Sequence, residues 1–410
     1  MLKYAPTFLI LLTFAYQATT LIPPKFQWRT IDFAFEDGER ESAIKSGMYI
    51  PNNNMPTGLA RWKDKLFITI PRWKKGVPAS LNYVYLNGSQ QEPLHPYPNW
   101  EEGAGNCRLT SNRTVVSTFR VHVDKCDRLW VVDNGVCDMS ETAEQVAPPS
   151  ILVFDLNTDM LLAKYEFSDD VLRDTSVLTS IVVEIPACKN ANCSNAFAYI
   201  TDMGSNAVIV YDFANNDSWR VENHYFHFDP HAGVYKVGGI DFYWRDGVSA
   251  AALTPPKKGG FCDLYLHPTS STKLFKMSTK LLRNKTASSD DILNGVEVVG
   301  DRGPKSQATA CDIDPKTNIL FYTQVCKNGL GCWNIDKPFS IENSPVIFSD
   351  CNLMEFPNDV KVDNEGNVWM LSDRQSRFLY EGMDYEDINF RVLSAPSNLL
   401  VQDTACAKKR

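Results

Sequence analysis

Histidine is scarce in this chain: 410 residues carry six. Three of them fall in His224-Tyr-Phe-His-Phe-Asp-Pro-His231. On a strand, positions three apart point to opposite faces, and Pro230 opposes a helix. The segment therefore reads as a surface strand ending at a turn, and no metal site is assigned to it. Gly-x-Ser-x-Gly, a phosphate-binding glycine loop, a dinucleotide fingerprint and His-Glu-x-x-His are all missing. Their absence removes the common signatures of serine hydrolases, nucleotide enzymes and zinc peptidases, and no cofactor is implied. The cluster Asp363-Asn-Glu-Gly-Asn367 lacks calcium-loop spacing and reads as a turn. Basic residues cluster only at Lys408-Lys409-Arg410, and the net charge is −8. That balance argues against nucleic acid and anionic membranes as partners. No long stretch has a helical period, and no Pro-, Gly- or Ser-rich linker divides the chain.

What is present begins with an export signal. Lys3 precedes an apolar run, Pro6 to Ala15, and then small residues at Ala18, Thr19 and Thr20. The run is shorter than the roughly 20 residues that span a bilayer. Residues 1–20 read as a secretory signal, and residues 21–410 as the mature, extracellular chain. Eleven cysteines, none in the signal, suit an oxidising compartment. Cys188/Cys193 and Cys326/Cys332 are close enough in sequence to staple local loops, as are pairs among Cys107, Cys126 and Cys137. An odd count leaves at least one thiol over, with Cys406 one candidate. Sequons at Asn87, Asn112, Asn192, Asn216 and Asn284 predict glycosylation on exposed loops.

Short β-branched and aromatic runs bounded by Gly, Pro, Asn and Asp predict an all-β protein. One theme recurs: an apolar strand, a turn rich in Asp, Asn, Gly or Lys, then an aromatic strand. It is plainest in Val121–Asp133, Val360–Ser372 and Cys311–Thr323, and weaker in Thr57–Thr69. Partial copies run through Asn195–Asp202 into Val208–Asp212, and through Gly239–Tyr243 with Val248–Leu253. A spacing of about 50 to 70 residues fits four strands plus loops, so six copies predict a single-domain, six-bladed β-propeller. Two β-sandwiches are the rival, disfavoured by the missing linker.

Several stretches resemble the insect Yellow / major royal jelly protein family. They include Phe119–Asp133, Leu178–Pro186, Ala198–Asp202, Leu264–Pro268, Gly331–Asn334 and Phe356–Asp363 leading to Leu371–Arg374. They keep family order over about residues 40 to 400. The resemblance implies a six-bladed propeller. It also implies one of several roles: cuticle melanisation, dopachrome conversion, biogenic-amine binding in the central channel, or a nutritional glycoprotein. Fold is better determined by it than function.

Propeller ligands bind where inner strands and inter-blade loops converge. An aromatic amine needs a stacking face, an acceptor for its ammonium and partners for its ring hydroxyls. Thr323, Trp333, Asn334, Asn352, Phe356, Asn358, Asp359 and Asp202 supply those residue types and are the candidate ligand-binding residues. Asp359 or Asp202 is the candidate base if the protein is a tautomerase; no pattern selects a catalytic residue. The expected partner is a small aromatic amine or catechol derivative in the melanin pathway, and the chain is expected to be a monomer. The alternatives are a non-catalytic amine-binding protein and a structural or nutritional glycoprotein.

Overall fold

The computed structural model describes residues 22–105, 107, 115–186 and 193–408. Six four-stranded antiparallel sheets surround an axis. From the axis outward, the first blade is Gly58–Trp62, Lys65–Thr69, Leu81–Tyr85 and His95–Pro96, and the second is Thr118–Val123, Arg128–Asp133, Ser150–Asp155 and Met160–Glu166. The third is Leu178–Glu184, Phe197–Asp202, Ala207–Asp212 and Asp217–Glu222, and the fourth is Val248–Leu253, Asp263–Pro268, Lys273–Ser278 and Val296–Asp301. The fifth is Cys311–Asp314, Ile319–Gln324, Gly329–Asn334 and Val346–Ser349. The sixth takes Pro357–Val362, Asn367–Ser372 and Phe390–Pro396 from the C-terminal part and its outer strand, Pro24–Trp28, from the N-terminal part. Each inner strand contacts its neighbours around the ring, and that of the sixth blade meets that of the first. Closure turns the inner edge of each blade toward the channel and leaves the outer strand as the edge facing outward. The chain is a six-bladed β-propeller.

The repeated theme has a physical cause. Asp124 accepts from the Cys126 amide at 2.8 Å, the Arg128 amide at 3.1 Å and Trp130 Nε1 at 2.8 Å. Asp363 does the same with Glu365 N, Asn367 N and Trp369 Nε1 at 2.9, 2.9 and 2.8 Å. A carboxylate at the end of the inner strand thus closes the hairpin and takes the indole proton six residues on. The flanking Val, Ile and Trp side chains pack between blades: Trp130, Val132 and Ile151 of the second blade meet Ile181, Ile200 and Ile209 of the third.

Two of the six copies sit differently from the sequence reading. In the third blade the theme falls on the second and third strands, and the inner strand is Leu178–Glu184, buried throughout. In the fourth, Val248–Leu253 is the inner strand, but Ile240–Tyr243 pairs with Val234–Val237 in a separate hairpin. The segment around His224 and His231 is not a strand: it forms two short 3₁₀ turns, His224–Phe226 and Pro230–Ala232. Asn223 and Asp229 cap them by accepting from Tyr225 N and His231 N, local bonds that compete with a ladder.

Disulfides join Cys107–Cys137, Cys126–Cys193 and Cys332–Cys406. Cys193 and Cys332 therefore find distant partners, not Cys188 and Cys326, and Cys406 is paired. Sequence proximity misled because blade packing brings remote loops together. Cys262, Cys311, Cys326 and Cys351 are free. Cys188, Asn112, Asn192 and the expected signal lie outside the described residues. Asn87, Asn216 and Asn284 are exposed, and Thr286 Oγ1 donates to Asn284 Oδ1 at 2.9 Å.

The Cys332–Cys406 bond spans 74 residues and ties the C-terminal segment to the third strand of the fifth blade. Replacing both with Ala is expected to lower unfolding stability by about 2–4 kcal/mol. Denaturant titration under non-reducing conditions checks this; an unchanged midpoint would contradict it.

Candidate functional site at the channel mouth

All six inner strands begin at the same end of the axis, here called the upper mouth. Each blade delivers a residue there: Thr57, Arg120, Thr179, Ser249, Thr309 and Asn358. The backbones converge closely at this level. A Cβ on Gly58 would lie 2.4 Å from Phe119 O of the next blade. Around the polar ring stand Trp73, Phe119, Met203 and Trp244, with Asp246 and Gln375 completing a cavity of about 60 Å³. Trp73 and Phe119 rings are 5.6 Å apart, and Trp244 is held from behind by Phe242 at 4.8 Å and Phe356 at 5.6 Å.

Arg120 bars the axis. From the second blade it reaches the sixth, donating to Asn358 O at 2.8 Å and Asn358 Oδ1 at 2.9 Å. It also reaches Ser249 O of the fourth blade at 3.4 Å and pairs with Asp359 at 3.4 Å. Burial pushes the guanidinium pKa down and the Asp359 carboxyl up, the latter against the pull of Lys361 and Arg120. The channel is thereby divided into an upper cavity and a lower one.

Asp246 differs from every other carboxylate near the axis. Its side chain has no hydrogen bond or ion pair to another described residue, and burial alone raises its pKa to about 6. Gln375 is oriented by Asn358 Nδ2, which donates to its Oε1 at 2.8 Å. The Gln375 amide nitrogen is left facing the cavity without a described partner. Asp373, fully buried behind it, is raised to about 8 by burial, against hydrogen bonds from the Asn358 side chain and the Gln375 backbone N–H. The mouth can thus offer aromatic faces, one open carboxylate and neutral donors to a small planar molecule.

The eight candidate residues are not one cluster. Asn358 lines the cavity, and Asp359 lies beside it with its oxygens taken by Leu59 N and Val360 N, both at 3.0 Å, and by Arg120. Thr323 stands one layer out: its Oγ1 accepts from Thr309 N at 2.9 Å and Ala310 N at 3.1 Å. Asp202 occupies the equivalent end of its own blade, accepting from Val177 N at 3.0 Å, Ser205 N at 3.1 Å and Arg220 at 2.8 Å. Asp133 repeats the arrangement with Val116 N and Ser117 N. These residues fasten the second strand to the start of the first, a task each blade needs. Phe356 backs Trp244 with φ 58°. Trp333 packs between blades against Tyr265 and Phe339, and Asn334 donates to Cys406 O at 3.3 Å. Asn352 is on an exposed turn capped by Asp350.

Sequence reasoning missed Arg120, Asp246, Gln375, Trp73 and Trp244. One signal was available for two of them. Arg120 immediately precedes the clearest repeat copy, and Asp246 stands two residues before an inner strand. Nothing in sequence marked Trp73 or Gln375, which arrive on loops from elsewhere. Among the described residues no group of three His, Cys, Asp or Glu side chains is placed to hold a metal.

Fold and mouth together define the class: a closed six-bladed propeller with an aromatic-rimmed, polar axial cavity. Residues 116–406 match the model of a family described as Major royal jelly protein. The chain is 35% identical over 390 residues to a dopaminechrome tautomerase of Drosophila melanogaster, covering 93% of this chain and 83% of that one. It is likewise 35% identical to the Protein yellow of Drosophila madeirensis, covering 95% of this chain and 68% of its relative. This protein belongs to the major royal jelly protein family. A regucalcin from Agrobacterium tumefaciens aligns over 83% of this chain and 89% of its own at 9% identity, with a TM-score of 0.44, too distant to inform the site.

Proposed function

We propose that this is a secreted, glycosylated Yellow-type protein of the pigmentation pathway that tautomerises an aminochrome, a cyclised catecholamine quinone, at the upper mouth. The observation that carries the reading is Asp246: an unpartnered carboxylate facing a cavity walled by Trp73, Phe119 and Trp244. The 35% identity to a dopaminechrome tautomerase supports the reaction class. Three disulfides, and exposed sequons at Asn87, Asn216 and Asn284, support export.

The chemistry needs no oxidant. Asp246 takes a proton from the saturated ring carbon, the electron pair moves through the conjugated ring, and a quinone oxygen gains a proton to become a hydroxyl. A base whose pKa lies near neutrality is suited to that exchange. The indoline plane lies against Trp73 and Trp244, and the Gln375 amide nitrogen donates to a quinone oxygen. An iminium or ammonium nitrogen adds attraction to Asp246 and to the indole faces. The same groups suit simple retention of a biogenic amine, which is the second reading.

Purified protein incubated with dopaminechrome, followed by its visible absorbance, separates the two. Decay clearly faster than in buffer is expected. Decay at the buffer rate, together with a calorimetric binding signal for dopamine or serotonin, would replace the enzyme by a binding protein. Neither signal would leave the structural glycoprotein.

A further inference from the structure

We propose that the opposite end of the channel is a second, separate ligand site that takes an amphipathic anion, of which a medium-chain carboxylate is the simplest form. Below the Arg120 bar lies a cavity of about 230 Å³, larger than the upper one. Apolar side chains, among them Val182, Leu253, Pro255 and Ile313, form much of its wall. His122 and Asp312 line its polar part, and Lys361 stands beside both. A greasy wall over a polar floor suits a molecule with a hydrocarbon body and one polar head.

The sign of that head follows from which charges are already spent. Asp312 accepts from Val362 N at 2.8 Å and Ile313 N at 2.9 Å. Asp124 is taken by Arg128 and Trp130, and Glu184 by Tyr199, Thr279 and Arg283. Lys361 attracts the buried carboxylates of Asp312 and Asp359 through space, but its N–H donors are not spent on either. Lys361 is 6% exposed and has no hydrogen bond or ion pair to another described residue. Among the described residues, Lys125 and Lys316, at the rim, donate only to the carbonyls of Ile185 at 3.3 Å and Asn364 at 2.8 Å. Burial and the neighbouring Lys361 push the His122 pKa down to about 4, so at neutral pH its imidazole is an uncharged hydrogen-bonding group. A buried ammonium with open donors calls for an acceptor, and an anionic one makes the stronger bond. The upper mouth, whose open charge is the acid Asp246, has the opposite preference.

Calorimetric titration of the intact protein with sodium octanoate tests this. Saturable one-to-one binding is expected, with 1-octanol binding much more weakly. Lys361→Met should weaken octanoate about ten-fold or more, and Lys361→Arg should retain most of the affinity. Lys361 lies near Asp312 and Asp359, so its loss can disturb folding. Leu253→Trp, which fills the cavity from its half-buried wall, is therefore the second variant and should also abolish binding. Absence of saturable heat with the folded wild type would overturn the proposal. So would octanol matching octanoate, or both Lys361→Met and Leu253→Trp binding as the wild type does. Dopaminechrome turnover at the other mouth is a separate reading and is untouched by any of these results.

Discussion

Asp246→Asn is expected to slow dopaminechrome conversion by about two to four orders of magnitude, the range that a positioned general base contributes. The amide has nearly the same shape, so the ring-stacking surface of Trp73 and Trp244 is retained and KM should change much less than kcat. In the wild type the rate should fall as pH drops through about 6, because burial holds the Asp246 carboxyl there and only its ionised form accepts a proton. Stability moves the other way. The folded pKa is raised above the usual carboxylate value, so this group stabilises the fold at acid pH and that contribution is lost as pH rises through about 6. The Asn variant should therefore be no less stable than the wild type at pH 7.5. Stopped-flow absorbance with a matched thermal melt checks both. A variant that is folded and fully active would remove Asp246 from the mechanism.

Arg120→Met should have the largest effect on stability, about 3–5 kcal/mol at pH 7. The arginine is the counter-charge of a fully buried Asp359 and the donor to two oxygens of Asn358. Removing it leaves a buried carboxylate bonded to the Leu59 and Val360 amides, with the through-space attraction of Lys361 as its remaining counter-charge. The sign with pH follows from Asp359. Its folded pKa is already raised by burial and rises further without the guanidinium. The proton-bound carboxyl tolerates burial, so the loss should shrink as pH falls and Asp359 protonates. The double variant Arg120→Met/Asp359→Leu should recover part of the stability, since replacing a whole buried pair is far less damaging than breaking it. Denaturant unfolding at pH 4.5 and 7.5 measures these differences. Equal losses at both values would mean that Arg120 acts through packing alone.

How legible the protein was in its sequence can be judged from particular residues. The turn-and-Trp theme around Asp124 and Asp363 was visible because the bond from each carboxylate to its indole spans six residues, within one hairpin. Local closure of that kind leaves a periodic trace, and the trace was enough for the blade count. The fourth blade was only partly legible because the hairpin of Val234–Val237 and Ile240–Tyr243 imitates blade strands without belonging to a blade.

The site was less legible than the fold. Asp202 and Thr323 have the residue types of ligand contacts, yet each accepts backbone amides of its own blade's first strand or the turn before it. From sequence, a Thr or Asp that closes a blade cannot be told from one that faces the axis. Trp333 and Trp244 are equally aromatic, but only the second lines the mouth.

The sequence by itself determined what depends on neighbours along the chain. That covers the all-β class, the repeat, the family and the turn chemistry, because hairpin bonds and side-chain alternation are short-range. Tertiary structure alone decided which residues meet at the axis. Arg120 and Asp359 are 239 positions apart in the chain and pair at 3.4 Å, and Cys332 finds Cys406 across 74 residues. Closing a ring brings together residues whose separation in sequence carries no trace of their distance in space. For that reason the bar across the channel, the open carboxylate above it and the buried ammonium below it appear only once the blades have met.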